Sequence, residues 1–100
     1  MKAHEVYGKR DPRLGGALAN ARKAIKLYKQ AVEADPKFAL AFVELSGAWM
    51  ELGYSDPDGM TNKELLPHAK AAASKAVALD GNMAEAHLAL AAVHYSLEYD

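Results

Sequence analysis

The sequence contains no cysteine, which excludes disulfide bonds and thiolate chemistry. No apolar run approaches the ~20 residues that a membrane-spanning helix needs. The first ten residues are polar and basic and lack the apolar core of a signal peptide. None of these absences fixes the compartment, and the cytoplasm is the location we favour.

The sequence also lacks the motifs of common catalytic and nucleotide-binding sites, since it has no G-x-S-x-G, no Gly-rich phosphate loop and no H-E-x-x-H. His87 and His94 are two helical turns apart, but a zinc site would need a third ligand such as Glu98. Asp56 and Asp58 belong to an Asp-Pro-Asp-Gly turn and supply too few oxygens for calcium. We therefore predict no catalytic residue, no metal site and no cofactor, and we expect that the chain is not an enzyme.

The composition is that of a folded globular protein, because apolar residues make up 51% and charged residues 25% of the chain. One hundred residues suit one small domain, and abundant alanine favours helices. The net charge is −1, yet eight of the twelve basic residues lie within residues 1–30, among them Arg22, Lys23 and Lys26. This basic third could contact nucleic acid or an anionic membrane. A solvated helix face is the explanation we favour, and the lack of interleaved aromatic residues argues against nucleic acid as the partner.

The sequence matches itself when it is shifted by 45 residues. The register holds over about thirty positions, which chance similarity between two helices would not maintain. The matching pairs are Ala24 and Ala69, Ala31 and Ala76, Val32 and Val77, Asp35 and Asp80, Ala39 and Ala84, Ala41 and Ala86, Leu45 and Leu90, Leu52 and Leu97, and Tyr54 and Tyr99.

Apolar residues at spacings of three and four predict four helices. Gly15-Gly16 weakens any helix that starts at Asp11-Pro12, so the first helix is predicted only from residue 18. Residues 2–8 could form a further short helix. The four predicted helices cover residues 18–34, 37–52, 61–79 and 82–97.

The expected helix ends come from capping residues. Asp35 should be an N-cap with Pro36 at the first helical position, and Gly53 should be a C-cap. Thr61-Asn-Lys-Glu64 has the pattern of a capping box. The remaining signals are Pro67, which should kink or break the first turn of the third helix, Gly81, which should stop that helix, and Asn82, which should cap the fourth.

The units resemble the tetratricopeptide repeat (TPR), whose 34-residue period has W-x2-L-G-x2-Y in one helix and A-x3-F, then Pro, in the next. The first pattern is present as Phe42-x2-Leu45-Ser46-x2-Trp49, and again as His87-x2-Leu90-Ala91-x2-His94. The second is present as Ala24-x3-Tyr28, Ala31 and Pro36, and again as Ala69-x3-Ala73, Ala76 and Gly81. The spacing of 45 is then 34 plus an insertion of 11 after Gly53. Ala73 and His94 depart from the pattern, because each replaces an aromatic residue.

The resemblance implies an all-α fold, a TPR-like right-handed superhelix of antiparallel helix pairs with four or five helices. Residues 1–17 would be an N-terminal segment and residues 18–100 the TPR-like domain. That domain would consist of a partial repeat over 18–36, a repeat with an insertion over 37–81 and a half repeat over 82–100.

In TPR proteins the first helix of each repeat lines a concave groove, so the resemblance also implies a partner-binding groove. An apolar groove of this kind suits an amphipathic helix. The polar clamp that holds C-terminal carboxylates in TPR co-chaperones is missing, since Val43, Gly47, Leu88 and Ala92 occupy the matching places. Alternatively, these residues are core that another segment covers. The implied groove residues are Leu40, Val43, Gly47, Met50, Glu51, Glu85, Leu88, Ala92, Tyr95 and Ser96.

A narrower likeness concerns residues 66–90, which look like TPR regions attached to bacterial signalling proteins such as adenylate cyclases, serine/threonine kinases and winged-helix regulators. That likeness implies a regulatory docking module of a larger protein. The last predicted helix is apolar almost all round, which is typical of a buried helix. We therefore expect either that the parent chain continues past Asp100 or that this helix packs on a second copy, in which case charging Leu90 or Val93 should give a monomer.

Overall fold

The computed structural model describes residues 12–55, 59 and 61–99, and these residues form four α-helices without any strand. The all-α prediction is therefore confirmed. The short helix considered for residues 2–8 lies outside the described residues. The helices are α1 (Pro12–Ala34), α2 (Ala39–Ser55), α3 (Asn62–Leu79) and α4 (Ala84–Tyr99).

Two helix ends differ from the prediction. Helix α1 begins at Pro12 rather than at residue 18, because proline is favoured in the first helical turn and Gly15-Gly16 lowers helix stability without forbidding the helix. The expected boundary between residues 17 and 18 therefore falls inside α1. Gly53 does not cap α2, which continues to Ser55, and no described glycine has a positive φ. The C-terminal glycine cap depends on that left-handed conformation, so its sequence signal was misleading here.

The turns before α2 and α4 have the same hydrogen bonds at an offset of 45 residues. Asp35 N–H donates to Ala31 O at 2.9 Å, and Asp80 N–H donates to Ala76 O at 2.9 Å. In both turns the aspartate carboxylate accepts a hydrogen bond from the backbone two residues later, at 3.2 Å from Lys37 N and at 3.1 Å from Asn82 N. The sequence repeat is thus also a repeat of local structure.

Asp35 and Asp80 stabilise turns, and Asp80 is also the C-cap of α3. Neither Asp35 nor Asn82 is the N-cap of the following helix, which corrects the N-caps predicted there. Each carboxylate is used within its own turn, and the following helix starts only at Ala39 or Ala84. Gly81 lies in the second of these turns, after α3 has ended at Leu79.

The capping box at the start of α3 is confirmed. Glu64 N–H donates to Thr61 Oγ1 at 3.3 Å, and Thr61 N–H donates to Glu64 Oε1 at 3.1 Å. Thr61 Oγ1–H donates to the same carboxylate oxygen at 2.8 Å. Pro67 lies within α3 but does not break it, because only one intrahelical donor is lost and Pro67 is exposed.

We expect the capping box to give the protein a measurable pH dependence. Hydrogen bonds from the Thr61 side chain and backbone hold the pKa of Glu64 below its ordinary value. A carboxylate whose pKa is lower in the folded state contributes stability above its unfolded pKa, about 4.3, and loses it as the pH falls through the folded value. Urea unfolding of the wild type and of Glu64→Gln between pH 7 and about pH 3 measures this contribution. If the free energy of unfolding falls by the same amount in both proteins between pH 7 and about pH 3, the prediction is wrong.

Helix α2 lies at the centre of the fold, because it contacts each of the other three helices, while α3 also contacts α4. Among the described helices, α1 contacts only α2 and reaches neither α3 nor α4. The core is built mainly of alanine on α3, with large side chains from the other helices between them. Its most buried members on α3 and α4 are Leu65, Leu66, Ala69, Ala73, Ala76, Ala86 and Val93.

Three contacts tie α1 and α3 to α2. The Trp49 ring stacks on His68 with a centroid distance of 4.3 Å and an interplanar angle of 13°, and Lys29 Nζ lies 5.1 Å from the same ring centre. The buried hydroxyl of Ser46 donates to Ala69 O at 3.0 Å. Ser46 and Ala69 are small, so the backbones of α2 and α3 can approach closely at this point.

Candidate docking groove

A concave groove of about 1080 Å³ lies over α2, with α1 on one side and α4 on the other. It stays open because α1 and α4 do not contact each other. On α2 the lining residues run from Val43 to Tyr54, which is about 16 Å at 1.5 Å per residue. A groove of this length matches about three turns of a bound helix.

The structure brings seven of the ten predicted groove residues together. Four come from α2 and three from α4, and all seven line the groove. Leu40, Tyr95 and Ser96 do not line it: Leu40 is exposed near the start of α2, and the other two lie near the end of α4. The seven lining residues are Val43, Gly47, Met50, Glu51, Glu85, Leu88 and Ala92.

The α1 side of the groove was missed by the sequence reasoning, which placed only the first helix of each repeat at the groove. Small or polar residues on α1 recur every four positions, at Gly16, Asn20 and Ala24, and Tyr28 continues the row. Residues four apart lie on one face of a helix, so this spacing was the signal that could have found them. Ala21 completes the α1 lining, beside the row.

The charged residues that line the groove are all acidic. Glu44 and Glu51 lie on α2 and Glu85 lies on α4, and no described lysine or arginine lines the groove. The basic residues of α1 lie elsewhere on that helix: at 3.6 residues per turn, Arg22, Lys26 and Lys29 lie on the side opposite the lining row. The basic N-terminal third therefore does not reach the groove through these three side chains.

Gly47 forms an open part of the groove floor. A Cβ atom added at this position would meet nothing within 4 Å, so no neighbour in the described structure requires glycine. Glycine inside a helix costs about 0.5–1 kcal/mol relative to alanine. A small floor residue would instead allow a bound backbone to approach α2 closely.

We predict that Gly47→Ala stabilises the free protein. The added methyl group enters open space, and alanine removes the glycine penalty, so the free energy of unfolding should rise by about 0.5–1 kcal/mol. Urea unfolding followed by circular dichroism measures this change. A destabilised variant would mean that the floor of the groove is closed in solution.

Helix α4 leaves an apolar stripe exposed. Leu88, Ala91, Ala92 and Tyr95 follow the i, i+3, i+4, i+7 spacing of one helix face, and all four are exposed, Leu88 at 70% and Tyr95 at 66%. Val93, in contrast, is completely buried, and Leu90 packs against the core. Because Val93 is buried and Leu90 is partly buried against the core, a charge at either position would disturb the packing of α4, so these two substitutions do not test association.

Two histidines, His87 and His94, lie on α4. His87 Nε2 lies 2.7 Å from Gly81 O, and His94 is exposed near the end of α4. Within residues 12–55, 59 and 61–99, no group of three or more histidine, aspartate or glutamate residues is arranged to hold a metal ion. In the same part of the chain, every helix is too short or too polar to cross a membrane.

Comparison of this chain with protein-family models, with curated proteins and with solved structures found no match.

Proposed function

We propose that this chain is a TPR-like docking module that acts by binding rather than by catalysis. Its groove would bind one amphipathic helix of another protein along α2. The observation that carries the proposal is the open groove between α1 and α4, whose lining includes the small residues Gly47 of α2 and Ala92 of α4. The narrower likeness noted above further suggests a regulatory role within a larger bacterial signalling protein.

Two features of the fold support the TPR-like interpretation. Helices adjacent in sequence pack together, and the two helices that carry the first-helix pattern, α2 and α4, also contact each other. The turns that precede these two helices repeat the same hydrogen bonds at the 45-residue offset. Stacked helix pairs of this kind present a continuous concave surface in repeat proteins.

Self-association through α4 is a second candidate function, favoured by the exposed stripe of Leu88, Ala91, Ala92 and Tyr95. A second copy would cover this stripe in a symmetric dimer. The two candidates share Leu88 and Ala92 but differ elsewhere, because Gly47 lines only the groove and Tyr95 belongs only to the stripe.

The docking test uses a fluorescein-labelled helical peptide of about 12 residues with leucine at i, i+3, i+4 and i+7 and with glutamine elsewhere. We expect saturable binding by fluorescence anisotropy that Gly47→Leu and Leu88→Glu each weaken about tenfold or more. Leu27→Glu is the matched control, since Leu27 is 52% exposed on α1 and does not line the groove. Equal affinity of Gly47→Leu and wild type would exclude the groove as the binding site.

Sedimentation over a concentration series tests the second candidate on the same proteins. A dimer that Tyr95→Glu converts to a monomer, and that Gly47→Leu leaves intact, would support association through α4. A monomer at all concentrations would exclude it and leave docking as the proposed function.

A further inference from the structure

The charged residues that line the groove all have the same sign. The groove floor consists of small and apolar side chains, whereas its charged lining residues are the three exposed glutamates Glu44, Glu51 and Glu85. The chain as a whole is nearly neutral, with a net charge of −1. The acidic character is therefore local, because four basic residues of α1, Arg22, Lys23, Lys26 and Lys29, do not line the groove.

The acidic residues also have a defined spacing. Glu44 and Glu51 are seven residues apart, which places them two turns apart on the same side of α2, about 10 Å from each other along the axis. A helix that lies along α2 would meet both carboxylates with side chains that are themselves about seven residues apart. Glu85 adds a third carboxylate from α4.

We propose that the groove selects a cationic amphipathic helix from another protein, an inference that rests on the docking function proposed above. The apolar face of the bound helix covers Gly47, Leu88 and Ala92. Lysine or arginine side chains beside that face pair with Glu44 and Glu51. Complementary charge of this kind mainly supplies specificity and a fast association rate, while apolar contact holds the helix in place.

The test uses the full chain and three labelled peptides that share one leucine stripe and otherwise contain glutamine. They differ only at two flanking positions seven residues apart, which carry lysine in the first peptide, glutamine in the second and glutamate in the third. Circular dichroism of the free peptides checks that their helicity is the same. Anisotropy then gives the affinity at low salt and at about 1 M NaCl, where the Debye length is about 3 Å.

At low salt we expect the lysine peptide to bind about tenfold more tightly than the glutamate peptide, with the glutamine peptide between them. At about 1 M NaCl the difference should fall to about threefold or less, since the paired charges are exposed and screened. The variant E44Q/E51Q/E85Q should remove the difference at low salt. Glu33→Gln, an exposed glutamate on α1 that does not line the groove, should retain it.

The failures of the two proposals are distinguishable. Equal affinity of all three peptides at low salt would overturn the charge preference and leave the docking function standing. Failure of every peptide to bind would overturn the docking function and the charge preference with it. If the chain instead forms a dimer that E44Q/E51Q/E85Q dissociates, and the lysine peptide does not compete, then a second copy occupies the groove and the inference is wrong.

Discussion

Replacing Val93 by aspartate is expected to detach α4 from the rest of the fold. Val93 is 0% exposed and belongs to the same core cluster as Leu65 and Leu66 of α3. Removing the buried valine loses about 1.5–3 kcal/mol of burial, and an unpaired buried carboxylate costs several kcal/mol more. This sum is comparable with the whole stability of a small domain, about 5–15 kcal/mol.

The matched control lies on the opposite face of the same helix. Leu88 is 70% exposed, so Leu88→Asp should change the free energy of unfolding by no more than about 0.5 kcal/mol. Both changes place aspartate inside α4, and Leu88→Asp loses slightly more helix propensity than Val93→Asp, because leucine is the better helix former. This difference, about 0.5 kcal/mol, is small and opposite in sign to the expected effect of burial. Helicity and urea unfolding of the two variants therefore isolate the effect of burial.

Equal stability of the two variants would show that α4 is not packed through Val93. The expected difference also determines which substitutions can test association. A charge at Val93 acts by unfolding α4, so a change of molar mass in that variant says nothing about an interface. A charge at Tyr95 is the informative change, because that side chain is already exposed.

Helix positions were largely predictable because they depend on local spacing. The capping box at Thr61 and Glu64 and the end of α3 near Leu79 follow from patterns within a few residues. Helix ends that involve glycine or aspartate were less predictable. Gly53 continues a helix, and Asp35 closes a turn, since the same residue type can stabilise either structure and its neighbours decide which one forms.

The groove was predictable only in part for a different reason. The positions on α2 and α4 were implied by the resemblance to the TPR, and seven of the ten line the groove. The four-residue spacing on α1 marks one face of that helix, but whether that face borders the groove depends on how α1 lies across α2, which is a long-range property. Similarly, the apolar pattern around α4 could not show that Val93 is buried and Leu88 is exposed, because burial depends on which neighbouring helices are present.

A pair of positions related by the repeat should give opposite results. Ser46 and Ala91 are 45 residues apart and occupy the same place in the TPR pattern, but Ser46 is 1% exposed beneath α3, whereas Ala91 is exposed on α4. Ser46→Leu forces extra carbon atoms between α2 and α3, at a cost of about 1–3 kcal/mol, and removes the hydrogen bond to Ala69 O, worth about 0.5–1.5 kcal/mol. We therefore expect a loss of about 2–4 kcal/mol in urea unfolding.

Ala91→Leu makes a similar enlargement without a neighbouring helix to oppose it, so its stability should stay within about 0.5 kcal/mol of wild type. Ser46→Ala, which removes the hydrogen bond without adding volume, separates the two costs at the buried position. Comparable destabilisation by the two leucine variants would mean that another segment covers Ala91 in solution. Ala91→Leu also enlarges the exposed apolar stripe that includes Leu88. The molar mass of this variant in solution therefore tests whether a second copy can cover the stripe. A dimer formed only by Ala91→Leu would show that it can.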